Sequence, residues 1–283
     1  MSGEQAGRPT GLARRARRLS DAETGQRMLA AALDMVRSAG LTVSLEHISF
    51  EEVIRAADVS RSSAYRRWPH KDLFFSDLVR ELAARDTTPA LAADELTLIR
   101  QIVAEHTDWL ADPGRRHDLV IELFRQLPLL DFQAFSTSAG WRTYIALTAT
   151  YMSISDSTLR EQVQAAMANA EQERIARVAR AWELMCGLLG YRLRPECGAT
   201  FETVATLLSA TSRGIAIMAL SLPGIGARRA DARPFGTAIT AEWSLPSLGL
   251  ACIATALLEP DPDHTWDAGQ VARLHELLAA PPG

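Results

Sequence analysis

The sequence predicts an all-α fold in which a small helix-turn-helix head precedes a larger helical body. Three observations carry this expectation. Apolar residues recur at spacings of three and four along most of the 283 residues, and nowhere does a strand-like alternation persist. Pro and Gly punctuate the chain between periodic segments. Capping signals open segments at Ser49-Phe-Glu-Glu52 and Thr158-Leu-Arg-Glu161, where a hydroxyl can accept from an early amide and a Glu can reach back. With 47% hydrophobic side chains, the chain can bury a core as one large domain or two smaller ones.

The elements follow in order. Residues 1–22 form a basic arm around Arg14-Arg15-Ala16-Arg17-Arg18, expected to be disordered, and either a reach toward DNA or a solvated tail. Met28, Leu29, Ala32, Leu33 and Val36 mark an amphipathic helix over 23–39 that Gly40 ends, and an eight-residue loop follows. Ser49 opens a short helix over 50–57 with Val53, Ile54 and Ala57 as its apolar side. Asp58-Val59 makes a tight turn, with Val59 plugging the core. Ser60 then caps a helix over 61–68 that Pro69 closes. Two short helices joined by about three residues form a helix-turn-helix. The head therefore spans 23–70, and a connecting helix with Leu73, Phe74, Leu78, Val79 and Leu82 spans 71–86.

The body takes 87–283, opening on the linker Thr87-Thr88-Pro89. Its helices are predicted at 91–111, 114–127, 131–153, 158–190, 201–221, 247–258 and 267–280. The fourth of these is a single rod of about 45 Å. Residues 222–245 are rich in Gly, Pro and Ala and too long for a tight connection, so they predict a mobile loop or a partner contact.

Charge separates head from body. Formal net charge is −4, yet residues 1–80 hold 13 basic against 10 acidic side chains, and the remainder holds 17 against 24. A basic head on an acidic body suits a protein that places one end on a polyanion. The stretch Ser60-Arg-Ser-Ser-Ala-Tyr-Arg-Arg-Trp-Pro-His-Lys71 concentrates this chemistry. A short capped helix carrying Arg61, Ser62, Ser63, Tyr65 and Arg66 can enter a major groove, with hydroxyls and guanidinium groups meeting phosphates and base edges. Trp68 reads as core, packed against the first helix. All but one of the 30 basic residues are Arg, and the single lysine is Lys71.

Other chemistries find little support. The six histidines show no metal-ligand spacing, and no nucleophile-elbow, P-loop or dinucleotide motif occurs, so neither an enzyme nor a cofactor is expected. Cys186, Cys197 and Cys252 are widely spaced and read as buried free thiols in a reducing cytoplasm. No unbroken run of 18 apolar residues is present, so no membrane span is expected. Trp141, Tyr144, Thr148 and Tyr151 share one helical face and can line a pocket that Trp109, Phe124, Trp182 and Met185 close, with Arg142 and His117 as polar anchors. The same stripe fits an ordinary core.

The order of a leading amphipathic helix, Gly40, the capping Ser49, Val53-Ile-Arg-Ala-Ala-Asp-Val-Ser60, Tyr65, Trp68, Lys71 and Phe74 resembles the tetracycline-repressor (TetR) family over residues 24 to 80. The resemblance implies a three-helix DNA-binding domain and a helical body that binds an unknown small-molecule effector and dimerises. By position it implies that Ser49 touches phosphate, that Ser62 and Ser63 meet bases and phosphates, that Tyr65 lies on the DNA backbone, and that Lys71 holds a phosphate at a helix start. Asp58 departs from the family's usual glycine, the loop after Gly40 is longer, and Arg67 and Trp68 replace smaller or different residues. The function implied is a cytoplasmic, ligand-responsive repressor that binds a two-fold symmetric operator in double-stranded DNA, as a homodimer through 201–221 and 247–258. The rival is a helical module that binds a small molecule or a protein, with a head that no longer reads DNA.

Overall fold

The computed structural model describes residues 19–39, 48–84 and 93–279. The basic run at 14–18, Gly40, the loop at 41–47 and the linker at 87–89 lie outside these residues. Eleven α-helices dominate, with three short 3-10 turns and four short strands among the described residues.

The head comprises α1 (Asp21–Ala39), α2 (Phe50–Ala56), α3 (Arg61–Arg67) and α4 (Lys71–Ala84). The first three starts each have a local cause. Ser20 and Glu23 form a reciprocal capping box on α1, with the Ser20 amide donating to Glu23 at 2.8 Å and the Glu23 amide to Ser20 at 3.1 Å. Ser49 caps α2 by accepting from the Glu52 amide, and Ser60 caps α3 by accepting from the Ser63 amide. Asp58 takes the left-handed conformation that a glycine would favour, at φ 51°. Inside, Met28, Val36, Val53, Trp68, Phe74 and Leu78 are almost wholly buried. The rings of Phe50, Trp68 and Phe74 stack edge-on or tilted with centroids 5.0 to 6.5 Å apart. Trp68 is thus core, held by Phe50 and Phe74 in the buried cluster that also contains Met28 and Val36 of α1.

The body consists of α5 (Ala93–Glu105), α6 (Pro113–Thr137), α7 (Ala139–Ser153), α8 (Ser157–Leu189), α9 (Phe201–Ser221), α10 (Leu245–Leu257) and α11 (Ala268–Ala279). It is not separated from the head by a dry gap. Leu147 of α7 and Val163 of α8 are buried in the same apolar cluster as Met28 and Phe74, and Tyr151, Ile154 and Met167 pack against it. The connecting helix α4 is therefore a wall shared by head and body.

Several expectations need correction. The all-α fold class holds, with helices carrying the fold, but two short strand pairs accompany them: β1 (Tyr191–Leu193) pairs antiparallel with β4 (Leu258–Pro260), and β2 (Arg229–Ala232) with β3 (Ala241–Ser244). Strands of three and four residues are too short to display alternation. The break expected near 128–130 does not occur, because α6 runs through Pro128. Proline has no N–H to give the helix, and nearby Ser247 of α10 donates its hydroxyl to the Arg125 carbonyl at 2.5 Å. The predicted helix 131–153 is instead two helices, divided where Ser138 leaves helical geometry and caps α7 by accepting from the Trp141 amide at 3.0 Å. The long rod begins at Ser157 with Asp156 as its cap, ahead of the Thr158 expected to open it. It ends at Gly190, whose φ of 67° turns the chain into β1.

The segment 222–245 is neither loop nor free. It forms a 3-10 turn (Pro223–Ala227) and the β2–β3 pair, and it is pinned to α6. The buried Asp118 carboxylate accepts from the Thr237 hydroxyl at 2.7 Å and the Ala238 amide at 2.9 Å. His117 donates through Nε2 to the Phe235 carbonyl at 2.7 Å, and Trp243 is buried at the base. Finally, α9 is apolar enough to match a membrane span by length and composition, with a mean hydropathy of 1.4 over an 18-residue window of which 28% is buried. No unbroken apolar run reveals this, since Arg213 and several hydroxyl residues interrupt it.

Candidate nucleic-acid interface

α3 is two-sided. Ser63, Ala64 and Trp68 face inward, while Arg61, Ser62, Tyr65 and Arg66 are exposed, and exposed Lys71 opens α4. The inward side is fixed by Ala64, which allows close packing on α1, and by the aromatic cluster around Trp68. Together with Lys71, the outward side presents three cations, a phenol and a serine hydroxyl, the set that phosphates and base edges accept. Ser49 sits half-buried at the α2 cap.

One predicted residue is not on this surface. Ser63 is 8% exposed, its amide donates to Ser60, and its Oγ accepts from the Ser60 hydroxyl at 2.9 Å. It sits at the third helical position, where the cap turns it inward, so it supports the start of α3 and presents nothing to a base. Ser62 is the hydroxyl left outside.

A residue missed in the sequence organises the rest. Glu51, in the first turn of α2, accepts from the Tyr65 hydroxyl at 2.9 Å and pairs with the Arg61 guanidinium at 2.7 Å. The Tyr65 ring rests edge-on against Phe50 with centroids 5.4 Å apart, and it remains 43% exposed. The hydrogen bonds from Arg61 and then Tyr65 hold the Glu51 carboxyl below its ordinary value. Sequence inspection passed over Glu51 because its partners lie 10 and 14 positions away, beyond any helical spacing. At the other end of α3, Arg67 pairs with Asp21 of α1 and lies over the Trp68 ring at 5.0 Å. Arg67 thus closes the head, whereas Arg66 points to solvent.

The predicted effector-lining residues fall into separate groups, with the α7 stripe apart from Trp109, Phe124 and Trp182. Trp141 is buried, stacks on Tyr144 at 5.6 Å and meets Phe135 at 4.6 Å. The Tyr144 ring lies under the Arg213 guanidinium at 4.4 Å, and the Thr148 hydroxyl returns to the Tyr144 carbonyl at 2.8 Å. Tyr151 packs on the head core instead. Trp109 stacks on His106 in a cluster beside α5 that Phe124 and Met185 also pack against, and Phe124 meets Trp182 at 5.8 Å. A helical stripe fixes which residues share a face, but each turn of α7 meets a different neighbour. His117 is no free anchor, because its Nδ1 lies 2.7 Å from the Tyr191 hydroxyl, and Arg142 donates to the Thr137 carbonyl.

Two cavities adjoin α6 and the β2–β3 pair rather than these aromatics. A groove of about 170 Å³ is lined by Arg125, Gln126, Leu129, Gln133, Arg229 and Glu242 among others. A void of about 10 Å³, next to Asp118, Thr237 and Trp243, is of single-water size. Among the described residues, no group of three or more His, Cys, Asp or Glu side chains is placed to hold a metal ion.

The chain is similar to regulators known from mycobacteria. It is 35% identical over 104 residues to an uncharacterised HTH-type transcriptional regulator of Mycobacterium bovis, a match covering 36% of this chain and 50% of the relative. Two such regulators from Mycobacterium tuberculosis match at 34% identity over the same length. The match spans about half the length of these curated relatives. Among solved structures, the reduced form of Escherichia coli NemR aligns with 83% of this chain and 98% of its own, at 15% identity and a TM-score of 0.42. No family model matches the chain.

Proposed function

We propose that this protein is a TetR-like transcriptional regulator that binds a two-fold symmetric operator as a homodimer and responds to a small-molecule effector. The observation that carries the reading is the two-sidedness of α3: its buried side is locked into the head, and its exposed side offers Arg61, Ser62, Tyr65 and Arg66 to a groove. Lys71 at the start of α4 and Ser49 at the start of α2 are available to flanking phosphates. The similarity to HTH-type regulators supports the same conclusion.

Dimerisation is supported by α9. Leu207, Ile217, Met218 and Leu220 are exposed on a helix whose other side packs on α8 and α10. A second copy covering this face would bring two heads into one assembly, and one duplex turn sets the spacing of about 34 to 36 Å they must match. Regulation is supported by the core that the head shares with α7 and α8, since a shift of either helix moves α4 and α1. Repression is the expectation carried by the family resemblance.

Selection of duplexes from a random pool, by the purified protein at about 0.15 M salt where nonspecific binding is weakened, tests the reading. Enrichment of a two-fold symmetric site supports it. A pool that stays random overturns it and favours a binding module with a silent head.

A further inference from the structure

We infer that Glu51 is a specificity-determining residue of the head, one that suppresses binding to arbitrary DNA by holding Arg61 and Tyr65 in place. The inference rests on the DNA-binding reading above.

The groups best suited to seize a phosphate from α3 are the Arg61 guanidinium and the Tyr65 hydroxyl. Both are engaged by one carboxylate oxygen, at 2.7 and 2.9 Å. The arrangement sits on the open side of the head: the Arg61 side chain is 71% exposed and that of Glu51 38%. An ion pair so exposed is easily opened, so a phosphate can take Arg61 away. Doing so leaves the Glu51 carboxylate beside the polyanion, and that repulsion is felt on every duplex whatever its sequence.

Nonspecific binding is almost wholly a matter of phosphate contacts, so a competing carboxylate weakens it most. A correct site adds base-edge contacts that offset the repulsion. Glu51 also holds the Tyr65 hydroxyl, whose ring is braced by Phe50, and that favours the one register in which the base contacts form. Penalising all DNA while preorganising one fit widens the gap between operator and background.

Glu51→Gln tests this. The amide keeps an acceptor for the Tyr65 hydroxyl and removes the charge that competes with phosphate. Binding to a scrambled duplex should tighten by about two- to fivefold, the order expected for one exposed charge contact. The slope of log affinity against log salt should steepen by about one unit as Arg61 is released to phosphate. The ratio of operator to scrambled affinity should fall. In an Arg61→Gln background most of the gain should vanish, because the charge acts through Arg61. Unchanged or weaker binding of Glu51→Gln to scrambled DNA, with wild type still selecting its operator, overturns the inference and leaves the DNA-binding reading standing. If neither protein binds any duplex, both fail together. Matching thermal unfolding of wild type and variant establishes that the head stays folded in the comparison.

Discussion

The indole N–H of Trp68 donates to the Asp77 carboxylate at 2.8 Å, and this bond ties the end of α3 to the second turn of α4. Asp77 also takes Arg80, one turn further along α4. Trp68 is 2% exposed, so its N–H has no route to water if Asp77 is lost. Leaving a buried donor unpaired costs about 1–3 kcal/mol. Asp77→Leu should therefore lower stability to urea by about that amount, whereas Asp77→Asn keeps an acceptor oxygen and should lose less than half as much. Equal losses in the two variants would mean that the indole bond is not what holds α3 to α4.

Lys71 gives a prediction about the interface itself. It is exposed at the first residue of α4, where an ammonium and free helix amides can act on one phosphate. Lys71→Ala should weaken operator and scrambled DNA alike, and flatten the salt slope by about one unit. The direction is opposite to that expected of Glu51→Gln, so the pair distinguishes a phosphate ligand from a phosphate competitor. A Lys71→Ala protein with the parental slope would remove Lys71 from the interface.

The head was legible in the sequence because its determinants are local. Ser49, Ser60, Asp58 and Pro69 each act within a few residues, and the apolar set of α1 repeats at helical spacing. The body was legible as helices but not as an assembly. The β2–β3 arm is held by Asp118, which accepts from Thr237 across 119 positions, and nothing near Thr237 advertises that anchor. Pro128 looked like a break because the packing that carries α6 through it is distant in sequence, with the nearby Arg125 carbonyl accepting from Ser247 across 122 positions. On the candidate interface, exposure was legible for Arg61, Ser62, Tyr65 and Arg66. The inward turn of Ser63 follows from the local Ser60 cap and was passed over in favour of a base contact, whereas the grip of Glu51 was not legible, since it depends on how α2 and α3 cross.

The body offers a test through Asp131. Burial pushes its carboxyl above the ordinary value, opposed by the charge of Arg174. A raised folded value means that, between the unfolded and folded values, the native state binds more protons than the unfolded chain. Stability from this group is thus present at low pH and is lost as pH rises through that window. Glu122 and Glu171 act in the opposite sense, because their arginine partners hold them low despite burial. Asp131→Asn isolates the one from the others: it should be more stable than wild type at neutral pH, with the difference shrinking on acidification toward the ordinary Asp value of about 3.9. A difference that stays constant with pH would show that Asp131 is not desolvated as the fold implies.

The exposed side of α9 carries the last prediction. Leu207, Ala210, Gly214, Ile217, Met218 and Ser221 follow one another at spacings of three, four and one, all exposed and none charged. Such a stripe is what a helix presents to another helix, and Gly214 and Ala210 at its middle let backbones approach closely. Among the described residues nothing covers the stripe, with Ile217 49% and Met218 50% exposed. A second α9 related by a two-fold axis would meet the same residues in reverse order and bury both sets. Ile217→Glu places two carboxylates on that axis region without touching the packing of α9 on α8, so it should yield monomers by sedimentation with helix content unchanged. Its operator affinity should fall steeply while its scrambled-DNA affinity, which needs only one head, changes far less. A wild-type protein that sediments as a monomer at every concentration would sink the dimer, and a variant that stays dimeric would move the interface off α9.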